Sequence, residues 1–210
     1  MDKNDIRTIA LEKLKSRSKA QCAAQSAKTR KNLAKLLKKL RFKSVIIYLP
    51  LWFEADLRPL FRALRGKAKL YAPFAQGVSF KALPYRLPLS RQSLGIFAPA
   101  NSLREIKKTD VLIAPTVAVD ASFARIGFGK GMYDRFVCGL VKKPIVIFVQ
   151  PFFLGAPKVS DAWDLRGDYL ASGNRVICNL GNRYDSRIYC RRISFRSCLR
   201  GGRLVGYEQT

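Results

Sequence analysis

Glycines alternate with other residues in one short stretch of the chain. Gly127, Gly129 and Gly131 surround Lys130, and Asp134 follows shortly afterwards. Because glycine has no Cβ, backbone N–H groups in such a stretch can converge on an anion. The lysine adds a full positive charge, and the aspartate can hold a Mg²⁺ ion that neutralises bound phosphates. The stretch therefore predicts a phosphate site, although a purely structural glycine turn accounts for the same residues.

The composition excludes several other kinds of site. The stretch fits neither the GxxxxGK[ST] phosphate loop nor the GxGxxG dinucleotide pattern. The chain contains no histidine, which excludes Ser-His-Asp and Cys-His triads and HExxH zinc sites. Proton transfer must therefore use carboxylates, Lys, Tyr, Cys or the substrate itself.

Strands and helices alternate around the glycine stretch. Short β-branched runs predict buried strands, and apolar residues at three- and four-residue spacing predict helices. The predicted strands cover residues 44–49, 69–73, 110–114 and 144–149. The predicted helices cover 3–41, with a break between Ser18 and Thr29, then 56–64, with Asp56 as N-cap, and 132–140; irregular strands and loops fill 74–108. This alternation predicts one α/β domain with a mainly parallel central sheet flanked by helices.

The charge of the chain indicates an anionic partner. Its 210 residues include 40 Lys and Arg against 14 Asp and Glu, a net charge of +26, and 48% of the residues are hydrophobic. The positive charge is spread along the chain, and no recognised nucleic-acid motif occurs. Anionic small molecules are therefore favoured, and a basic nucleic-acid-binding protein remains the alternative.

Location and domain boundaries follow from the apolar runs, the cysteines and the arginines. No apolar run reaches bilayer length, and the first residues lack a signal-peptide core. The five cysteines show no CxxC spacing, so we expect a cytoplasmic, non-membrane protein with free thiols. Arginine becomes frequent after Asn182, which predicts a domain over 1–181 and a basic C-terminal extension over 182–210.

The stretch from 110 to 136 resembles the signature of the 5-formyltetrahydrofolate cyclo-ligase family. The matching residues are Pro115, Val117, Ala118, Asp120, Arg125, Ile126, Gly127, Gly129, Lys130, Gly131, Tyr133, Asp134 and Arg135. The family's K-x-x-x-R on the first helix is matched by Lys3 and Arg7, and its strand and loop glutamate by Leu49 and Glu54. Its second acidic residue, which follows a Gln-containing strand, is matched by Asp168. The resemblance covers about residues 3–172.

This resemblance implies a fold and an activity. The fold is a three-layer α/β domain of the NagB/RpiA/CoA transferase-like kind. The activity is the conversion of 5-formyltetrahydrofolate, possibly polyglutamylated, and ATP to 5,10-methenyltetrahydrofolate, ADP and phosphate. In that reaction ATP phosphorylates the formyl oxygen, N10 attacks the activated carbon, and phosphate leaves. The resemblance also implies Mg²⁺ as cofactor, and we expect a monomer that binds neither membrane nor nucleic acid.

The resemblance assigns roles to individual residues. Catalysis falls to Lys130 and Arg125, and ATP binding to Lys3, Arg7, Arg125, Gly127, Phe128, Gly129, Lys130, Gly131, Met132 and Tyr133. Folate binding falls to Leu49, Glu54, Met132 and Tyr133, and Mg²⁺ binding to Asp134 and Asp168. Without the resemblance, Lys3 and Arg7 are equally a solvated helix face, and Asp168 a turn residue. Because Thr116, Val119 and Met132 depart from the family pattern, a member that binds folate or nucleotide without turnover remains an alternative.

Overall fold

The computed structural model describes residues 2–92, 95, 97–99, 105–173 and 175–179. The elements in chain order are α1 (Lys3–Lys15), α2 (Lys19–Leu37), β1 (Ser44–Ile47), α3 (Arg58–Leu64), β2 (Lys69–Gln76), β3 (Ser79–Pro84), β4 (Leu89–Arg91), β5 (Phe97–Pro99), β6 (Val111–Pro115), β7 (Ala118–Asp120), β8 (Arg125–Ile126), α4 (Met132–Cys138), β9 (Ile145–Val149), β10 (Gly155–Ala156), β11 (Tyr169–Ala171) and β12 (Val176–Cys178). The predicted basic extension over 182–210 lies outside the described residues, so the boundary at 181 stays a prediction.

The predicted helices form, although α2 ends at Leu37 and not at residue 41, and α4 ends at Cys138 and not at residue 140. A capping box begins α1 at Asp2 and another begins α2 at Ser18. The chain does break into two helices, but at residues 16–18; the predicted position between Ser18 and Thr29 is wrong, because residues 19–29 belong to α2.

The predicted N-cap Asp56 is wrong: the N-cap of α3 is Leu57, which makes no side-chain cap hydrogen bond, and Asp56 lies one residue earlier and accepts a hydrogen bond of 3.0 Å from the Arg58 amide. Helix α3 therefore starts two residues later than predicted.

A seven-stranded sheet lies at the centre, in the order β12-β11-β9-β6-β1-β2-β3. All neighbouring pairs from β11 across to β2 are parallel, and the two edge strands β12 and β3 are antiparallel to their neighbours. The four predicted strands lie in this parallel part of the sheet, and β3 forms within the segment predicted to be irregular. The mainly parallel sheet predicted from the alternation of elements is confirmed.

Helices cover both faces of the sheet. Successive residues of β1 point to opposite faces, because side chains alternate along a strand. Val45 and Ile47 pack with the apolar residues of α2 and α3, whereas Ile46 packs on the other side with Phe136 of α4. The result is the three-layer α/β arrangement.

A small second sheet positions the glycine stretch. Strands β10, β7 and β8 pair in that order, and β8 ends at Ile126, directly before Gly127. Ile6 and Ala10 of α1 pack against Ile126 and Ala118 of this sheet. Helix α1, the first element of the chain, is therefore held against a turn more than a hundred residues away.

Two general expectations concern membranes and thiols. Within the described ranges, no helix combines the length and apolarity needed to cross a membrane. Cys22, Cys138 and Cys178 are free thiols, as predicted, and Cys190 and Cys198 lie outside the described residues.

Candidate active site

A cavity of about 400 Å³ opens beside the glycine turn. The described residues that line it are Lys3, Arg7, Arg125, Gly127, Gly129, Gly131, Asp134, Arg135, Cys138, Trp163 and Asp164. The volume lies in the usual range of small-molecule sites. Lysine and arginine outnumber the two aspartates in this lining, so the cavity suits an anionic ligand that brings a cation with it.

The three glycines of the turn are needed for two different reasons. Gly129 and Gly131 adopt φ angles of +92° and +56°, a region that side chains with a Cβ rarely occupy. Gly127 has no such angle, but a Cβ built there would lie 2.3 Å from Nη1 of Arg125. The turn thus combines two left-handed residues with one close approach to an arginine.

Arg125 lies buried between the turn and the central sheet. Its Nε donates a hydrogen bond of 2.9 Å to the carbonyl oxygen of Pro115, and its guanidinium lies 4.8 Å from the ring centroid of Tyr133. Its Nη1 is 3.9 Å from Oδ2 of Asp134. Burial lowers the pKa of Arg125, and the nearby Asp134 carboxylate opposes that shift. Arginine nevertheless keeps its charge in proteins, so this is a fixed cation at the cavity wall.

Helix α1 contributes two further cations. Arg7 donates a hydrogen bond of 2.7 Å from Nε to the carbonyl oxygen of Gly127. Lys3 forms a 2.5 Å ion pair with Asp164, and its Nζ is 3.7 Å from Oδ2 of Asp161. The K-x-x-x-R pair of the sequence therefore faces the glycine turn, as expected for an anion site.

Two acidic residues meet at the cavity, and one of them was missed by sequence reasoning. The Asp134 Oδ1 accepts a hydrogen bond of 2.8 Å from the amide of Leu165, the residue after Asp164. Both carboxylates line the cavity. The sequence signal for Asp164 was weak, because an aspartate in a short polar loop is usually a turn residue.

Other residues assigned by the resemblance lie outside the lining of this cavity. Asp168 stands at the start of β11, where its carboxylate accepts a hydrogen bond of 2.8 Å from the Val146 amide. Phe128 packs against Phe53, with ring centroids 5.8 Å apart. Lys130 has an exposed side chain. The roles assigned to these residues stay predictions.

The residues assigned to folate lie outside the described lining of this cavity. Leu49 is buried, and Met132 and Tyr133 pack against the apolar cluster on the α4 face. Glu54 is half-buried and interacts electrostatically with Arg125 and Tyr133. The structure thus groups a carboxylate, a buried cation and an aromatic ring near the glycine-turn cavity.

The loop that carries Glu54 holds its carboxylate in place. Oε2 of Glu54 accepts a hydrogen bond of 2.8 Å from the Leu51 amide, and the Tyr48 hydroxyl donates one of 2.7 Å to the Ala55 carbonyl. Burial raises the pKa of Glu54 to about 7, against the opposing effects of the Leu51 amide and Arg125. Near neutral pH this carboxyl can therefore either accept or donate a hydrogen bond.

We expect Glu54 to make the stability of the fold depend on pH. Folding raises the pKa of Glu54 from 4.5 to about 7, so the protonated carboxyl favours the folded state. This contribution to the free energy of unfolding is complete below pH 4.5 and is lost as the pH rises through about 7. Glu54→Gln should therefore gain about 2 kcal/mol in free energy of unfolding relative to wild type between about pH 5 and about pH 8. Urea denaturation at both pH values measures this.

The matched control is Glu12→Gln, which changes an exposed glutamate of α1. Its difference from wild type should stay constant across the same pH range. If the difference in free energy of unfolding between Glu54→Gln and wild type is also constant over this pH range, the raised pKa of Glu54 is contradicted.

Comparisons with known proteins show which family this chain resembles. A sequence model of the 5-formyltetrahydrofolate cyclo-ligase family matches residues 1–148. The 5-formyltetrahydrofolate cyclo-ligase of Mycoplasma pneumoniae is 25% identical over 171 residues, which are 81% of this chain and 98% of that protein. The cyclo-ligase of Mycoplasma genitalium is 36% identical over 70 residues, which are 33% of this chain and 39% of that protein.

Solved structures show the same likeness. The NMR structure of Aquifex aeolicus 5,10-methenyltetrahydrofolate synthetase superposes with a TM-score of 0.74 at 27% identity, covering 91% of this chain and 100% of that one. The 5,10-methenyltetrahydrofolate synthetase of Mycoplasma pneumoniae shares the fold, with a TM-score of 0.65 at 22% identity over 82% of this chain and 99% of that one. Since the family match extends over most of the residues, including the whole glycine turn, the chain belongs to the 5-formyltetrahydrofolate cyclo-ligase family.

Proposed function

We propose that this protein converts 5-formyltetrahydrofolate and ATP to 5,10-methenyltetrahydrofolate, ADP and phosphate. The observation that carries the proposal is the cationic cavity at the glycine turn, with Glu54 and Tyr133 near Arg125. Such a site can place a polyphosphate on one side of the Arg125 guanidinium and a nitrogen-rich ring system on the other. That arrangement suits transfer of a phosphoryl group between two bound substrates.

The triphosphate would lie in the cavity beside the glycine turn. Arg7 donates a hydrogen bond to the Gly127 carbonyl oxygen, and Arg125 donates one to the Pro115 carbonyl oxygen. Both guanidinium groups are therefore oriented before a ligand binds. Lys3 would contribute a further charge from the first turn of α1. Pre-oriented cations stabilise the charge that spreads over phosphoryl oxygens during transfer.

The acidic pair in the cavity fits a magnesium ion. Mg²⁺ is commonly bound by one or two carboxylates together with substrate phosphates, and Asp134 and Asp164 both line the cavity. Among the described residues, no group of three or more acidic or thiol side chains offers an alternative site. The proposal therefore uses Asp164 in place of Asp168, whose carboxylate binds the Val146 amide. When bound, the ion would neutralise phosphate charge.

The folate would lie against Glu54 and Tyr133. The ionised carboxyl of Glu54 can accept hydrogen bonds from pterin N–H groups, and because burial raises its pKa to about 7, it is only partly ionised near neutral pH. The formyl oxygen attacks the terminal phosphorus of ATP, and the bond to ADP breaks. N10 then attacks the activated carbon and gives up its proton to solvent, and the carbon–oxygen bond breaks as phosphate leaves. These steps need orientation and charge neutralisation more than a protein base, which is compatible with a chain that lacks histidine.

The direct test is an absorbance assay for the methenyl product with purified full-length protein. Product should appear only when 5-formyltetrahydrofolate, ATP and Mg²⁺ are all present. ATP binding without product would instead support a family member without turnover. Steeply salt-dependent binding to nucleic acid, with no product, would support the nucleic-acid alternative.

A further inference from the structure

The segments that lead into four neighbouring strands lie side by side at one edge of the central sheet. The strands β9, β6, β1 and β2 are adjacent and parallel, so their amino ends meet at the same edge. Their first residues are in register, since Ser44 pairs with Lys69 and Val111 pairs with Ile145. The segments that lead into these strands are, in the same order, residues 141–144, 107–110, 38–43 and 65–69.

Exposed lysines and arginines dominate this edge. We define the basic edge as the exposed side chains of Lys38, Lys39, Arg41, Lys43, Arg65, Lys67, Lys69, Lys107, Lys108, Lys142 and Lys143. The structure describes all four segments, and Asp110 is the one acidic residue in them. Its Oδ2 accepts hydrogen bonds of 2.8 and 2.9 Å from the amides of Lys43 and Ser44, so this carboxylate is engaged with the backbone. The edge therefore presents a strong excess of positive charge to solvent.

Hydrogen bonds join the four segments into one surface. The Lys69 amide donates a hydrogen bond of 2.8 Å to the Lys43 carbonyl oxygen, and the Ile145 amide donates one of 2.9 Å to the Asp110 carbonyl oxygen. The Asp110 carboxylate links the segments before β1 and β6 through its bonds to Lys43 and Ser44. The sheet therefore sets the spacing of the cations, and binding a ligand need not bring them together.

The basic edge lies at the opposite end of the strands from the candidate active site. Arg125 donates a hydrogen bond to the carbonyl oxygen of Pro115, the last residue of β6, and Glu54 follows the carboxyl end of β1. Strand β6 has five residues, which span about 16 Å. A ligand at the basic edge would therefore leave the glycine-turn cavity open.

The spacing and number of the cations match a polyanion with closely spaced charges. Four adjacent strands, about 4.8 Å apart, give a row about 14 Å long. Over that length a nucleic-acid duplex carries about eight phosphates, twice as many as one of its strands. The eleven side chains of the basic edge provide enough charge to pair with phosphates along such a backbone.

The row lacks the apolar side chains that other polyanionic surfaces require. Phe42 is the aromatic residue of the four described segments, and it packs against the apolar cluster of α2 and α3. Single strands are usually bound through exposed aromatic side chains on which bases stack. A membrane surface usually receives several apolar side chains, and Val141 is the one large apolar residue of these described segments that is exposed. Contacts to phosphates alone are sufficient for a duplex.

We infer that the basic edge binds the phosphate backbone of double-stranded nucleic acid, independently of base sequence. The surface is separate from the proposed catalytic site, so the inference goes beyond the proposed function. In the sequence the cations are spread over residues 38–143, which gave no reason to expect nucleic-acid binding. The sheet gathers them at one edge and changes that expectation.

The test is a basic-edge variant of the full-length protein, with one substitution in each segment: Arg41→Gln, Lys67→Gln, Lys108→Gln and Lys142→Gln. Fluorescence anisotropy with a labelled DNA duplex of about 20 base pairs measures Kd between about 50 and 200 mM salt. At about 100 mM salt the Kd of the variant should be at least about 30-fold higher than that of wild type. The slope of log Kd against log salt concentration should fall by about three to four. A duplex of unrelated sequence should give the same changes.

The matched control variant carries Lys13→Gln, Lys19→Gln, Lys28→Gln and Lys158→Gln, which removes the same charge from exposed positions outside the basic edge and the cavity lining. Its Kd should rise less than about threefold. Equal weakening in both variants would overturn the inference, because it would show attraction by net charge alone. Thermal melting checks that both variants are folded.

Two results with wild type would also overturn the inference. One is the absence of binding to either duplex at the lowest salt concentration. The other is binding to phosphatidylserine vesicles that is lost in the basic-edge variant, without binding to a duplex, because it would identify the edge as a membrane-contact surface.

The methenyl absorbance assay separates this inference from the proposed function. Turnover of the basic-edge variant should stay within about twofold of wild type. If wild type makes no methenyl product and its duplex binding still depends on the basic edge, the proposed function fails and the inference stands. Product formation without duplex binding that depends on the edge would overturn the inference alone.

Discussion

Gly127→Ala is expected to lower ATP-dependent turnover by about 100-fold while the protein remains folded. The added Cβ would lie 2.3 Å from Nη1 and 2.6 Å from Cζ of Arg125, so the guanidinium must move. That movement would weaken its hydrogen bond to Pro115 and its contact with Tyr133. A displacement of about 1 Å in a positioning group is sufficient for a loss of this size. Steady-state kinetics of methenyl formation, together with the melting temperature, measure the effect.

Gly139→Ala is the matched control for this substitution. Gly139 has an ordinary φ of −84°, and a Cβ there would lie no closer than 3.5 Å to the Phe136 carbonyl oxygen. Turnover of this variant should match that of wild type. Unchanged turnover in a folded Gly127→Ala protein would show that the position of the Arg125 guanidinium does not matter for the reaction.

Asp164→Asn is expected to lower turnover by about 100-fold and to shift the Mg²⁺ titration to higher concentration. The substitution removes one of the two carboxylate charges in the cavity and weakens the partner of Lys3. Mn²⁺ binding in the presence of ATP, followed by paramagnetic relaxation of water, gives a measurement that is independent of turnover. Weaker Mn²⁺ binding should accompany the kinetic change.

Two other aspartates serve as controls for Asp164. Asp161 is in the same loop, but its side chain is 50% exposed compared with 10% for Asp164, so Asp161→Asn should have a small effect. Asp168→Asn should lower the melting temperature, because it weakens the acceptor of the Val146 amide, and should leave Mn²⁺ binding intact. A loss of Mn²⁺ binding in Asp168→Asn alone would restore Asp168 as the metal residue.

The central sheet could be predicted because its parallel strands are buried on both faces. Runs such as Val45-Ile46-Ile47 and Val111-Leu112-Ile113 are fully buried, and only continuous β-branched and apolar sequence satisfies that environment. The strands β7, β8 and β10 have two or three residues each, too few for any periodicity to be visible. Their positions depend on the packing of α1, which no local pattern reveals.

The glycine turn of the candidate site could be predicted because its backbone geometry restricts the residue type. Gly129 and Gly131 need positive φ, and Gly127 needs space for Arg125, so the turn is visible in the sequence itself. The sequence could not show which of Asp164 and Asp168 lines the cavity, because a loop carboxylate need not stand at a fixed spacing from other residues. Only the course of the loop past Asp134 brings Asp164 to the cavity.

The position of α1 has a practical consequence for protein production. Lys3 lies in the first turn of the helix and reaches across to Asp164, and Asp2 provides the cap that starts the helix. An affinity tag fused immediately before Asp2 would emerge next to Lys3, which lines the glycine-turn cavity, and would disturb that cap. Kinetic comparisons therefore call for preparations whose tag has been cleaved from the amino terminus.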